Sequence, residues 1–387
     1  MLRGDLPTPC YLVSERALRR NLEILGGVSA RTGCRILLAQ KAFSMFSLYP
    51  LIGRYLDGAA SSGLFEARLA REHMPGENHT FSPAFRDDQF DEIAAISDHV
   101  VFNSLAQLEK FGARARAAGA SAGLRVNPGC STQNHALYDP CAAGSRLGVP
   151  AEDPLPRLPE GVDGLHFHTL CEQDSDALEE TLSAVVQKFE PWLRRVKWIN
   201  FGGGHHITRA GYDIPRLEGC IRRMRAEYGL DVYLEPGEAV ALHAGLLRTR
   251  VLDIVRNGVD IAILDASAAC HMPDVIEMPY RPPLFDPAAP ADFSGGGAMA
   301  GQPGEKAHAY RLAGPTCLAG DVIGDYSFAA PLAPGAALEF GDMAIYTMVK
   351  NNTFNGMPLP AIAVEGEDGD CRVVRAFGYG DFKGRLS

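Results

Sequence analysis

The sequence predicts an α/β fold, a (β/α)8 barrel followed by a C-terminal all-β domain, and three observations carry that expectation. From about residue 14 to 240, short apolar runs alternate with longer helical patterns, the signature of repeated βα units around a parallel sheet. After about residue 243 the runs turn β-like and are separated by Gly and Pro. With 387 residues and 46% hydrophobic content, the chain can bury one large core or two moderate ones. The barrel is expected over residues 14–242 and the β domain over 243–387, joined by a strand within residues 1–13.

In the barrel, strands are expected at 35–40, 100–103, 122–127, 164–168, 197–201 and 232–235, each short and rich in branched or aromatic residues. Helical periodicity fills the intervals, as at 174–193 and 215–228. In the second domain, 250–255, 259–264, 307–312, 337–340 and 344–349 read as strands. Residues 281–304 are dense in Pro, Ala and Gly without periodicity, and read as a surface loop.

A formal net charge of -10 argues against nucleic acid or an anionic membrane as partner, because both select clustered positive charge. A cationic small molecule suits that balance better. The first ten residues lack an apolar core of signal-peptide length, and no later stretch approaches the roughly 20 apolar residues that span a bilayer. A soluble, cytoplasmic protein is expected. The nine cysteines include no C-x-x-C pair, so neither a zinc knuckle nor a disulfide framework is suggested.

Function in a (β/α)8 barrel collects at the C-terminal ends of the strands. The residues found there are Lys41, Arg125, His168, Gly202-Gly203-Gly204 and Glu235. Each alone has an ordinary explanation: a solvated strand end, a core histidine, a tight turn. Together they suit pyridoxal 5'-phosphate (PLP). Lys41, at the end of an apolar run, would be held toward the neutral amine that condenses with an aldehyde. The glycine run lets backbone N–H groups approach a phosphate closely. Glu235 would face the pyridine nitrogen and favour its protonated form, and His168 would stack on the ring.

These residues, with Phe167-His168, Phe201-Gly202-Gly203-Gly204, Leu234-Glu235-Pro236-Gly237, Gly314-Pro315-Thr316-Cys317, Tyr346 and Asn352-Thr353-Phe354-Asn355-Gly356, occur in the order seen in one family. The chain resembles the fold type III PLP decarboxylases, related to the ornithine and diaminopimelate decarboxylases and to alanine racemase. The resemblance spans nearly the whole chain and implies an alanine racemase-like barrel. It also implies that Cys317 enters the active site of the partner subunit and serves in protonation, that Tyr346 contacts the cofactor phosphate, and that the protein is a homodimer with shared sites.

Departures from the family narrow the reading. Glu238 follows Glu235-Pro236-Gly237 where most relatives carry arginine, and Leu318 follows Cys317 where ornithine decarboxylases carry aspartate. His168-Thr169-Leu170-Cys171-Glu172 replaces the usual small-residue turn. Residues 264–282, with 234–239, resemble the carboxynorspermidine/carboxyspermidine decarboxylases, enzymes of polyamine (norspermidine, spermidine) biosynthesis. Such a substrate has an amino acid head and a tail of cationic amines, so acidic residues are expected along its channel. The resemblance implies Glu238, Asp274 and Glu277 as substrate contacts, with His271 lining the same pocket. Asp274 and Glu277 also read as an ordinary exposed acidic pair.

Three other readings compete. A racemase of this fold would place arginine near the pyridine nitrogen, where this chain has Glu235, and a diaminopimelate or ornithine type fits Glu238 and Leu318 poorly. A PLP-carrying barrel without substrate would lack the β domain. A metal-dependent barrel hydrolase could use His166 and His168, which share a face at i and i+2, or His205-His206, but the sequence shows no matched carboxylate set.

Overall fold

Strand β1 (Cys10–Ser14) pairs antiparallel with one strand of the C-terminal sheet and parallel with another, so the chain starts in one unit, builds a second and returns. In this computed structural model the two compact units are Asn21–Val240 and Met1–Arg20 with Ala241–Ser387. The structure describes residues 1–133, 138–152, 155–289, 291–293 and 297–387.

The first of these is an eight-stranded parallel barrel. Its strands are β2 (Arg35–Ala39), β3 (Gly58–Ser61), β4 (Glu77–Phe81), β5 (His99–Phe102), β6 (Ser121–Asn127), β8 (Gly164–His166), β9 (Trp198–Asn200) and β10 (Asp231–Leu234), while the two-residue β7 (Val149–Pro150) pairs in parallel with the end of β6. Each pairs in parallel with the next, and β10 pairs back onto β2 to close the cylinder. The strands are short and buried, as parallel strands covered on both faces must be. The helices expected at 174–193 and 215–228 run over Ser175–Leu193 and Ile214–Tyr228. The second is framed by local chemistry: Asp213 accepts from the Arg216 N–H, Pro215 sits in the first turn, and Gly229 ends it in the left-handed region (φ 69°).

Strands β3 and β4 fall where no strand pattern is legible in the sequence. The first reads Gly-Ala-Ala-Ser, and the second carries Glu77, His79 and Phe81 on one face. Neither offers the branched apolar residues that mark a strand.

The second unit is a sheet in the order β14-β13-β12-β11-β1-β16-β17, with β15 on β11. Its strands are β11 (Gly245–Asn257), β12 (Val259–Leu264), β13 (His308–Ala313), β14 (Val322–Phe328), β15 (Ala337–Gly341), β16 (Ala361–Glu365) and β17 (Cys371–Arg375). Tyr11, Leu247, Leu264, Leu312, Tyr326 and Phe340 form the centre of its core. Two expectations need correction. Residues 344–349 form turns rather than a strand, because Asp342 (φ 56°) and Tyr346 (φ 54°) take left-handed backbone that breaks an extended run. The stretch 281–304 is not simply a surface loop: Leu284 and Ala300 are buried, and isolated bridges join Leu284 to Phe340 and Gly301 to Ser327. Residues 290 and 294–296 of that stretch lie outside the described residues.

Barrel closure leaves no room for added atoms at its closed end. A Cβ on Gly164 would fall 1.9 Å from the Trp198 indole. Gly164→Ala is expected to cost about 1–3 kcal/mol through overpacking. A urea midpoint equal to that of the unaltered protein would contradict this packing.

Candidate functional site

Lys41 leaves β2 on a turn whose shape Gln40 fixes. Fully buried, Gln40 donates from Nε2 to Ser61 Oγ (2.8 Å) and to the Glu66 carbonyl (2.9 Å), while its Oε1 accepts from Tyr49 OH (2.9 Å). The Lys41 side chain is open to solvent. Protein packed around its amine nonetheless lowers the pKa; Glu235 opposes that shift, and the Arg125 guanidinium adds to it.

Glu235 follows β10, the neighbour of β2. The Ala39 N–H donates to the Pro236 carbonyl (3.1 Å), and a Cβ on Gly237 would lie 2.6 Å from Ala42 Cβ, so glycine is what lets the two turns touch. Burial alone would raise the Glu235 pKa. The neighbouring His166 ring and the hydrogen bond from Asn200 outweigh it and hold the carboxyl below the usual range, hence ionised. Asn200 Nδ2 donates to Oε1 at 2.7 Å, and His166 Nε2 lies 3.5 Å from Oε2.

The glycine turn grows out of the same network. Gly202 N–H donates to Asn200 Oδ1 (2.8 Å), and Gly203 N–H to His168 Nδ1 (2.9 Å). Accepting there places the proton of neutral His168 on Nε2. Burial, with the charges of Lys41 and Arg125, keeps that ring well below its ordinary pKa. Two of the glycine amides are thus spent inside the protein. Among the described residues, the N–H groups of Gly204 and His205 have no partner. Close packing also demands these glycines: a Cβ on Gly204 (φ 84°) would lie 2.0 Å from the Leu170 carbonyl, and one on Gly203 would lie 2.5 Å from the Glu235 carbonyl. Arg125, buried with its pKa lowered to about 10 by that burial, donates to the His168 carbonyl (3.0 Å) and lies over the Phe81 ring.

The barrel thus brings together Lys41, His168, Gly202, Gly203, Gly204 and Glu235, with Arg125 among them. Sequence reasoning missed Gln40 and Asn200, whose only signal is a polar side chain at the end of an apolar strand. It also missed a carboxylate partner for the H-x-H pair, since His166, His168 and Glu235 offer ligand atoms within 4.8 Å of one another. Two neighbouring cations, Lys41 and Arg125, oppose a metal ion there. The same donor set suits PLP: an accessible amine, an ionised carboxylate, a flat neutral ring, and two open amides at a turn that side chains would fill.

Glu238 also belongs to the barrel unit, with Oε2 3.3 Å from His206 Nε2, and the other expected residues belong to the β unit. Cys317 is exposed, and its N–H donates to Asn355 Oδ1 (2.8 Å). Asp321 anchors the loop, its carboxylate accepting from Ser267 Oγ (2.9 Å), Thr316 Oγ1 (2.8 Å) and the Ala269 N–H (3.2 Å). Tyr346 stands in a turn with left-handed backbone. Asp274 and Glu277 are not open acids, since Lys350 Nζ bonds both. His271, expected to line a pocket, is fully buried, with Nδ1 accepting from the Ser267 N–H (3.2 Å) and Nε2 3.0 Å from the Pro358 carbonyl. Both its nitrogens are spent in packing. No described helix is long and apolar enough to cross a membrane.

The family described as pyridoxal-dependent decarboxylase, C-terminal sheet domain, matches residues 10–344. The carboxynorspermidine/carboxyspermidine decarboxylase of Campylobacter jejuni is 43% identical over 99% of this chain and 99% of its own. The carboxyaminopropylagmatine decarboxylase of Synechocystis is 39% identical over 99% of this chain and 96% of its own. A crystal structure of carboxynorspermidine decarboxylase from Campylobacter jejuni, complexed with norspermidine, superposes with a TM-score of 0.87 at 41% identity, covering 98% of this chain and 100% of that one.

The lowered Lys41 pKa has a consequence for stability. Between that lowered value and the ordinary 10.5 the unfolded chain binds more protons, so stability rises with pH across the window. With the amine free, Lys41→Met is expected to raise the urea midpoint at pH 7, and the gain should shrink as pH climbs toward 10.5. A gain that grows with pH would contradict the lowered value.

Proposed function

This chain belongs to the pyridoxal-dependent decarboxylase family, and from that premise we propose that it decarboxylates carboxynorspermidine or carboxyspermidine, giving norspermidine or spermidine, as a PLP enzyme of the cytoplasm. The observation that carries the reading is the solvent-open, pKa-lowered amine of Lys41 beside the ionised carboxylate of Glu235. PLP supplies an aldehyde for an amine and a ring that accepts the electron pair left when CO2 departs.

The residues divide the remaining work. Lys41 would hold the cofactor through its amine and later recapture it. Glu235, kept ionised by Asn200 and His166, would hold a proton on the pyridine nitrogen. Neutral His168, fixed by the Gly203 N–H, would lie against the ring face, and its neutrality avoids a cation opposing that proton. The open amides following Gly203, with Tyr346, would receive the phosphate, and the tightly packed Gly202, Gly203 and Gly204 set their direction. In a homodimer with shared sites, Cys317 would return a proton to Cα in the partner's site. Glu238 would meet the cationic tail, and Asp274 and Glu277 could do so once Lys350 releases them.

A substrate with a guanidinium tail, of the kind named for the Synechocystis relative, is the nearest rival. CO2 release should be measured on carboxynorspermidine, carboxyspermidine, carboxyaminopropylagmatine, ornithine, lysine and diaminopimelate. The first two are expected to turn over at least about tenfold better than the rest. Turnover confined to ornithine, or to carboxyaminopropylagmatine, would overturn the substrate assignment. Lys41→Ala should abolish the cofactor's protein-bound absorbance and cut turnover by about three orders of magnitude or more; undiminished turnover would remove Lys41 from its role.

A further inference from the structure

The ends of three consecutive barrel strands carry a second polar cluster beside the one just described. Glu172 follows β8, His206 follows β9 and Glu238 follows β10, and each offers a ligand atom within 4.8 Å of the other two. His206 is the telling member. It is 6% exposed, neither ring nitrogen has a hydrogen-bond partner, and Nε2 points at Glu238 Oε2 from 3.3 Å. A buried imidazole with no partner is costly unless a ligand completes it.

The cluster is held in place from behind. Gln173 N–H donates to the Gly204 carbonyl (3.0 Å), and His206 N–H to the Gln173 carbonyl (3.2 Å), so the two loops are tied to each other. Gln173 is itself clamped by Thr132, donating from Nε2 to its carbonyl (2.6 Å) and accepting at Oε1 from its hydroxyl (2.9 Å). Cys171 links the cluster to the amine. Its thiol is pushed up to about 11 by burial and then by the charges of Glu172 and Glu238, while the charge of Lys41 opposes the shift.

We propose that Glu172, His206 and Glu238 form a receptor for one protonated amine of the substrate tail, with Glu172 and His206 as specificity-determining residues alongside Glu238. This rests on the polyamine reading above and deepens it. One ammonium can donate to three such acceptors at once. Two carboxylates and an imidazole suit an ammonium and disfavour a carboxylate tail.

The test is calorimetric titration of norspermidine into the PLP-loaded protein, with Glu172→Gln, His206→Gln and Glu172→Lys compared by KM and kcat on carboxynorspermidine. Glu172 is exposed, so its variants are expected to fold, with unchanged cofactor absorbance as the control. The expected result is norspermidine binding weakened about 10- to 100-fold in Glu172→Gln and His206→Gln and further in Glu172→Lys, with KM rising in parallel and kcat within about threefold. If the unaltered protein neither binds norspermidine nor turns over a carboxylated polyamine, the functional reading falls and this receptor with it. If it does both and the variants match it, the receptor alone is refuted. Stoichiometric zinc uptake by the unaltered protein, lost in His206→Gln, would reassign the cluster to a metal and overturn the amine assignment.

Discussion

Keeping Glu235 ionised inside a barrel requires donors at fixed positions, and supplying them organises most of the site around it. Asn200 is the hinge of that arrangement. One end of its amide donates to Glu235 Oε1, and the other accepts the Gly202 N–H, so the carboxylate and the start of the glycine turn share one side chain. The turn in turn orients His168, because the Gly203 N–H is bonded to its Nδ1. A buried charge left without such partners would neutralise instead, and the electron-accepting role proposed for its neighbourhood would fail. Arg125 contributes from the side. Its charge opposes neutralisation of Glu235, while its donation to the His168 carbonyl holds that strand end in place.

The amine and the carboxylate stand in tension that the fold resolves by proximity without contact. Glu235 raises the Lys41 pKa, whereas burial and Arg125 lower it, and the net result is downward. A direct ion pair would tie up the amine. A more distant carboxylate would leave Arg125 and Lys41 uncompensated at the end of an apolar barrel. The Pro236 carbonyl, accepting from Ala39, and the absence of a side chain at Gly237 set the separation between them.

The chain announced its chemistry more clearly than its scaffolding. Lys41, His168, Glu235 and the glycine run were legible because strand ends in a barrel are functional positions and because four unusual residue types fell there together. Asn200 and Gln40 were not, since a single amide after an apolar run has no pattern, and its worth depends on what lies across the barrel. Strand β4 escaped notice for a related reason. Its inward side chains Glu77 and His79 are polar, and only the closed barrel gives them partners: Glu77 Oε2 lies 2.8 Å from His79 Nε2, and His79 stacks on His99 at 3.9 Å. The supposed strand at 344–349 failed on a backbone angle, at Tyr346, that composition does not encode. His271 illustrates the opposite error. The sequence places His271 along the substrate pocket, whereas burial commits both its nitrogens.

The polar filling at the N-terminal end of the barrel explains how the C-terminal end can carry so much unfavourable chemistry. Around His79 and His99 lie Trp198, whose Nε1 donates to Ser121 Oγ, and Tyr233, whose hydroxyl accepts from Arg35. Burial, and then the charge of His79, drives His99 down to about 2, so it stays neutral as one plate in an aromatic stack. Glu77 takes up the charge of Arg35 beside it. This end is closed and held by stacked rings, although Nδ1 of His79 and of His99 lacks a hydrogen-bond partner, and it forms the stabilising face of the barrel. It leaves the opposite rim to bear an amine of lowered pKa, a buried imidazole without a hydrogen-bond partner, and a pair of acids. Unsatisfied groups at one end are tolerable because the other end supplies the rigidity, and that separation lets Lys41, Glu235 and His206 keep their positions without being used up by one another.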